Sequence, residues 1–281
     1  MDLLALDLNL WLVEGQSLEE RPLPRWWGEA THRLAIATIA SGDAALAAKL
    51  EGNGGLKPFT TSNLRGPFPG RRLDPQADYK LRLTALDRPV SEIFAAARDS
   101  GALRDGAEVE LDFVRFRVQG EAAPREEAGY QSLVNRLFAS QPPPRKLTLQ
   151  FLSPTLFRND GRQFNFPLSD LVFGSLMEHW NASETVPSAL SVELRRYARE
   201  CLRPGRFDLR SRTLKMYNEV FTGSVGRVTF YSWNYDRYWM SMIDMLAQYA
   251  SFAGVGTKTT MGLGQARFVP QPVEPAAPPQ A

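Results

Sequence analysis

The order in which strand-like and helix-like patterns alternate constrains this chain more than any other feature. Leu4, Leu6, Leu8, Leu10 and Leu12 alternate with Asp7, Asn9 and Trp11, which predicts a strand over 3–13. Pro22 and Pro24 punctuate a loop, and an Ala- and Leu-rich helix is expected over 26–50, ended by Gly52, Gly54 and Gly55. Strands follow at 57–63 and 80–85, then a helix at 89–101 with Pro89 near its start. Val109, Leu111 and Phe113 alternate, and the phase then slips to Val114, Phe116 and Val118, which a β-bulge would explain. The order is β-α-β-β-α-β, the ferredoxin-like motif.

The same order returns after the triple proline Pro142–Pro144. A strand is expected at 145–152, a helix at 168–181, an inserted helix at 188–202, strands at 206–217 and 224–234, a helix at 238–252 and a strand at 264–269. The expected class is α+β, with two tandem ferredoxin-like (RRM-like) domains. The divisions are 1–125, a 126–144 linker containing a short helix at 130–140, and 145–269. Residues 270–281, mostly Pro, Ala and Gln, are expected to be disordered.

Composition narrows the function classes. Thirty-three basic and 31 acidic residues give a net charge of only +2, so bulk charge does not announce nucleic acid. Its distribution is more telling. Arg65, Arg71, Arg72, Lys80 and Arg82 cluster, as do Arg195, Arg196, Arg199, Arg203, Arg206, Arg210 and Arg212. Each run suits a solvated face or an RNA track. Cys201 is the only cysteine, so no disulfide framework or thiolate metal site is expected, and a reducing cytoplasm is implied. The N-terminal apolar stretch, broken by Asp7 and Asn9, does not read as a signal peptide, and no run approaches a membrane span.

Gly254-Val255-Gly256-Thr257-Lys258-Thr259-Thr260-Met261-Gly262-Leu263-Gly264 carries two Gly-apolar-Gly triplets around a lysine. Such density lets the backbone take positive φ and approach another backbone closely. Successive N–H groups can converge on an anion, with Lys258 adding charge, so a phosphodiester backbone is the expected ligand. A dinucleotide fingerprint needs a glycine where Thr259 stands, and a Walker loop needs one before its lysine.

This segment resembles the glycine-rich signature of the RAMP superfamily, and specifically of the CRISPR-associated endoribonucleases that cut repeat transcripts into guide RNAs. Ser153-Pro154-Thr155 with Phe157, Phe166-Pro167-Leu168, Phe173-Gly174-Ser175-Leu176 and Trp180-Asn181 are similar to that family's central region. Gly223 to Gly226 with Val228 resembles its penultimate strand. Ala30-Thr31-His32-Arg33-Leu34 and Lys57-Pro58-Phe59-Thr60-Thr61-Ser62 resemble its first helix and second strand. The resemblance implies the tandem architecture independently, with RNA held in the cleft between the sheets. Its implied partners are CRISPR repeat RNA, as pre-crRNA and crRNA, with effector-complex subunits and a homodimer left open. No membrane and no cofactor are expected.

RNA carries its own nucleophile, the 2′-hydroxyl. Cleavage needs a base, an acid for the leaving 5′-oxygen and a cation at the phosphorane, but neither metal nor protein nucleophile. Only two histidines exist. His32 stands where the resemblance places a histidine and is the expected general acid or base. His179, among Phe173, Leu176, Met177 and Trp180, reads as a core residue. Lys57 is the candidate for phosphate stabilisation, its alternative being an exposed strand-start lysine. Gly254, Gly256, Lys258, Gly262 and Gly264 are the expected RNA-binding loop. Arg33 points elsewhere on its helix. Trp26, Trp27, Trp233, Tyr235, Tyr238 and Trp239 suit base stacking or core packing. Many family members carry a further histidine after the first helix and a tyrosine near the site. Here Glu51–Leu56 holds no histidine and no tyrosine precedes Tyr79, so the site is expected to be lean. The expected activity is metal-independent cleavage of pre-crRNA, giving 2′,3′-cyclic phosphate and 5′-hydroxyl ends. The alternative is a non-catalytic RAMP-fold RNA-binding subunit of a CRISPR effector complex.

Overall fold

The computed structural model describes residues 1–15, 22–52, 54–120, 125–138, 142–159, 161–217 and 219–270. The expected disordered tail thus lies, but for Pro270, outside the described residues. The N-terminal half runs β1 (Leu3–Leu12), α1 (Gly28–Gly42), α2 (Ala44–Gly52), β2 (Phe59–Thr61), β3 (Tyr79–Ala85), α3 (Arg88–Asp99), β4 (Glu108–Leu111), β5 (Val114–Gln119), β6 (Glu126–Ala128) and α4 (Tyr130–Asn135). The C-terminal half runs β7 (Lys146–Thr155), β8 (Phe157–Asn159), β9 (Arg162–Phe164), α5 (Ser169–Ala182), α6 (Val192–Cys201), β10 (Leu202–Met216), β11 (Glu219–Ser232), α7 (Arg237–Ala253) and β12 (Ala266–Val269).

The first sheet is ordered β2-β3-β1-β5-β4 and the second β10-β11-β7-β12, every pairing antiparallel. Read without the extra strand β4, both have the second, third, first and fourth strands side by side, so the chain forms two ferredoxin-like domains. Alternation decides which face each sheet buries. Leu4, Leu6, Leu8 and Leu10 of β1 meet Ile36 and Ile39 of α1 and Val90 and Phe94 of α3. In the second sheet Leu147, Leu149, Phe151, Val228 and Phe230 meet Phe173 and Leu176 of α5 and Ile243 and Leu246 of α7.

Four local readings need correction. The helix expected over 26–50 breaks at Asp43, whose extended backbone ends α1 while its Oδ1 accepts from Leu46 N at 2.9 Å and opens α2. The phase slip at 113–114 is a hairpin turn between β4 and β5, with Asp112 at φ +60°, rather than a bulge. Within the expected 126–144 linker, Glu126–Ala128 forms β6 and pairs with β1. The inserted helix is shorter than expected, opening at Ser191, whose hydroxyl accepts from Glu193 N. The hairpin of β8 and β9 had no expectation at all: three-residue strands leave too little periodicity to read.

The two domains are joined by directed polar contacts. Thr84 Oγ1 donates to Phe252 O at 2.8 Å, Gln265 Nε2 donates to Thr61 O at 3.0 Å, and the hydroxyls of Tyr130 and Tyr249 share a hydrogen bond at 3.2 Å. These groups are buried, and among the described residues no buried side-chain polar atom lacks a partner. Arg82, 8% exposed, lies between Asp7 at 2.6 Å and Glu126 at 2.7 Å, so this member of the first basic cluster is structural. Among the described residues no helix is long and apolar enough to cross a membrane.

Candidate functional site

His32 sits in α1, and its place depends on how α1 begins. Gly28, the first helical residue, is buried against the glycine-rich segment; a Cβ there would lie 1.9 Å from Met261 O. Trp26 Nε1 donates to the same carbonyl at 2.8 Å, and Trp27 N donates to Asn63 Oδ1 at 2.7 Å. One turn later His32 Nδ1 meets Thr260 O at 3.1 Å, and Thr61 Oγ1 donates to that oxygen at 2.9 Å. A carbonyl only accepts, so Nδ1 carries the proton and the neutral ring presents its lone pair at Nε2. The ring is half-buried beside Phe59, centroids 5.5 Å apart.

Burial lowers the His32 pKa from its ordinary value. The Thr260 carbonyl opposes that shift, Lys57 reinforces it, Glu51 opposes it, and Arg33 adds to it. Burial therefore favours the neutral imidazole. Removing the Lys57 charge relieves a repulsion on the protonated ring, so Lys57→Met should raise the His32 pKa. An NMR titration of the imidazole checks this; an unchanged or lower midpoint contradicts the coupling.

Lys57 follows the loop from α2 and precedes β2. Its ammonium donates to Leu50 O, a carbonyl in the last turn of α2, and burial lowers its own pKa while Glu51 opposes the change. His32 and Lys57, 25 positions apart in the numbering, thus lie within electrostatic reach of one another. Arg33 diverges from them, pairing with Asp112 at 3.2 Å on the exposed side of α1.

The glycine-rich segment runs from the end of α7 into β12. Gly254, Gly256, Gly262 and Gly264 have φ of +66°, +86°, +82° and +66°. A Cβ at Gly256 would lie 2.2 Å from Leu156 O, at Gly264 2.1 Å from Val255 O, and at Gly262 2.7 Å from Asn63 N. Glycine is needed here for conformation and for close approach together. The N–H groups of Gly254, Gly256 and Gly264 donate to Ala250 O, Ser175 Oγ and Pro154 O. Those three amides are thus engaged within the protein, and the convergent anion cradle expected from the sequence is not their arrangement. The segment instead forms a short turn, Thr259–Met261, held between the domains.

Both histidines touch that turn. His179 is buried, with Nδ1 2.9 Å from Ser175 O and Nε2 3.5 Å from Thr259 Oγ1, a satisfied core residue. Lys258 has φ +56°, and its Nζ lies 5.5 Å from the Phe221 ring centroid and 6.0 Å from that of Tyr217. Tyr217, at the tip of the β10–β11 hairpin, donates its N–H to Glu29 Oε1 at 3.2 Å, and its OH lies 3.9 Å from Met261 Sδ. A tyrosine therefore reaches this corner from far along the chain. Sequence reasoning looked for it before residue 79 and missed it, along with Gly28, Glu29, Thr61 and Thr260. The 15-residue β10 and 14-residue β11 were the one available signal, since strands that long overreach their own sheet.

The arginine clusters divide. Arg195 pairs with Glu178, and Arg196 and Arg199 pair with Glu200. Arg203, Arg206 and Arg210 lie exposed along β10, opposite Tyr231, Thr229 and Val225. Arg227 and Arg267 flank Gln150 in one cross-strand row that ends at Asp208. Residues directly opposite share a face, so the sheet surface away from α5 and α7 is strongly basic.

A family model for the CRISPR-associated endoribonuclease Cas6 matches residues 149–266. Curated Cas6 endoribonucleases of Mycobacterium tuberculosis are 27% identical over 211 residues. Those residues are 70% of this chain, which spans 64% of the length of these relatives. A Thermus thermophilus Cas6 product complex is 26% identical, with a TM-score of 0.76 over 95% of this chain and 99% of that one. The chain is similar to Cas6 endoribonucleases. A Cas6 substrate-mimic complex, also 26% identical, matches with a TM-score of 0.63 over 96% of this chain and all of that one. The Cas6 family model thus begins within β7 and ends at the start of β12, enclosing the glycine-rich segment but not His32 or Lys57.

Proposed function

We propose that the chain is an endoribonuclease that binds CRISPR repeat RNA and cleaves the precursor within each repeat. The observation that carries this reading is the half-buried His32 imidazole, fixed at Nδ1 by Thr260 O with its lone pair at Nε2. In the proposed step Nε2 takes the proton from the ribose 2′-hydroxyl. The 2′-oxygen bonds to phosphorus, the P–O5′ bond breaks, and the departing 5′-oxygen takes a proton from water. The products are a 2′,3′-cyclic phosphate and a 5′-hydroxyl, and no metal takes part. Lys57, capping α2 beside His32, offsets charge at the phosphorane. Relatives solved as product and substrate-mimic complexes support a substrate-binding role for this fold.

The test is incubation with repeat RNA in chelator, followed by end-group analysis. Cleavage that persists in chelator and stops when the scissile nucleotide is 2′-deoxy supports the proposal. Tight binding with intact RNA favours a non-catalytic RNA-binding subunit instead. As general base, His32 should give an acid limb in the single-turnover rate with its midpoint below about 6.5, because burial favours the neutral ring. A rate that falls as pH rises through that range would reverse the role to acid.

RNA contact is assigned to Lys258, on the loop that Gly254, Gly256, Gly262 and Gly264 shape, and to the basic sheet face. Lys258→Ala should weaken repeat binding and reduce the slope of log K against log salt by about 0.7–0.9, the value for one released counterion. An unchanged slope removes Lys258 from the interface.

A further inference from the structure

The far edge of the second sheet carries an exposed aromatic group that the cleavage site does not use. Trp233 is 75% exposed and Tyr238 62% exposed, where β11 gives way to α7. Their backbone is firmly held. Ser232 N donates to Arg145 O, Trp233 N donates to Cys201 O at 2.7 Å, and Asn234 O accepts from Tyr197 OH at 2.8 Å. Asp236 caps α7 by accepting from Trp239 N at 3.0 Å. A large ring held in water by a fixed backbone loses little conformational entropy on binding, which is what a preorganised contact requires.

The surroundings decide the chemistry of the occupant. The Arg203 guanidinium lies 5.1 Å from the Trp233 ring centroid, Arg145 4.4 Å from that of Tyr235, and the Lys146 ammonium 5.7 Å from that of Tyr231. Cations interleaved with aromatic rings match a strand of alternating phosphates and base faces. The edge is also continuous with the basic face, because Arg203 and Lys146 sit opposite Tyr231 in the row beyond Arg206 and Thr229. The strands run from this edge to the hairpin tip at Tyr217, on the order of 40 Å at about 3.3 Å per residue. An RNA cut near His32 therefore meets this edge with nucleotides well away from the scissile bond.

We propose that Trp233 and Tyr238, with Arg203 and Lys146, form a second binding site for unpaired RNA flanking the repeat, held by base stacking. This rests on the repeat-RNA reading above.

The test is fluorescence anisotropy, at fixed salt, with a minimal repeat RNA and with the same RNA extended by unpaired nucleotides at either end. The parent should bind one extended RNA about tenfold tighter than the minimal one. Trp233→Ala and Tyr238→Ala should each remove most of that gain, with affinity for the minimal RNA within about twofold of the parent, and Trp233→Phe should restore it in part. If the parent gains nothing on extension, or both alanine variants keep the full gain, the second site does not exist. Equal losses on minimal and extended RNA would place the rings against the repeat itself and also overturn it. A parent that binds no repeat RNA removes the broader reading first. Photo-crosslinking of 5-bromouridine in the extension should label the Trp233 peptide; labelling confined to other peptides contradicts the site and leaves the edge to a protein partner.

Discussion

Replacing His32 by alanine should slow cleavage of repeat RNA by about 10²–10⁴-fold, the range for loss of a positioned proton-transfer group. The dissociation constant should change little, because the ring is half-buried and its fixed nitrogen faces Thr260 O rather than the RNA. His32→Gln is the sharper variant. Its amide can donate to the same carbonyl and keep the turn in place, yet it has no titrating lone pair. Both variants should cleave at similarly reduced rates, and the acid limb should vanish from what remains. Single-turnover kinetics across pH check this. Parental rates in either variant remove His32 from the chemistry; full activity in glutamine alone would make it a spacer.

The second large effect is expected at Gly28, where no chemistry takes place. A methyl group there would stand 1.9 Å from Met261 O, and neither backbone can retreat by rotating a side chain. Gly28→Ala should destabilise the protein by about 1–3 kcal/mol, as overpacking of a tight contact does. It should also slow cleavage by about a hundredfold, because small displacements of a catalytic group carry costs of that size. The backbone at Gly28 is ordinary helix, so the substitution strains the approach alone. Thermal unfolding and single-turnover rates separate the two effects. Parental stability and rate in the Gly28→Ala variant would mean that α1 does not depend on the Met261 contact.

Much of the architecture is legible in the sequence, because periodicity writes the buried face of each long element directly. Leu4, Leu6, Leu8 and Leu10 could face only one way, and the β-α-β-β-α-β order then allowed few arrangements. The failures share one cause. Asp43 ends α1 and opens α2 within a run that Ala and Leu make uniformly helix-like. Asp112 turns a hairpin in a left-handed conformation that Gly or Asn more commonly marks. At the site, His32, Lys57 and the glycine-rich segment stood out through residue type and resemblance. The partners did not: Thr260 acts through its carbonyl, which every residue has, and Tyr217 arrives on a hairpin whose reach depends on tertiary packing. The glycines were visible but their use was not, since dense positive φ serves an anion cradle and a tight domain contact equally well.

The acceptor that fixes His32 lies 228 residues downstream of it. During synthesis the imidazole leaves the ribosome long before Thr260 is polymerised, and until α7 and β12 dock it has nothing to hold its tautomer. On the reading proposed here, a nascent or truncated chain lacking the segment after α7 carries the histidine without a working base. On that reading, competence to cut RNA arrives only once the segment between α7 and β12 has docked against α1.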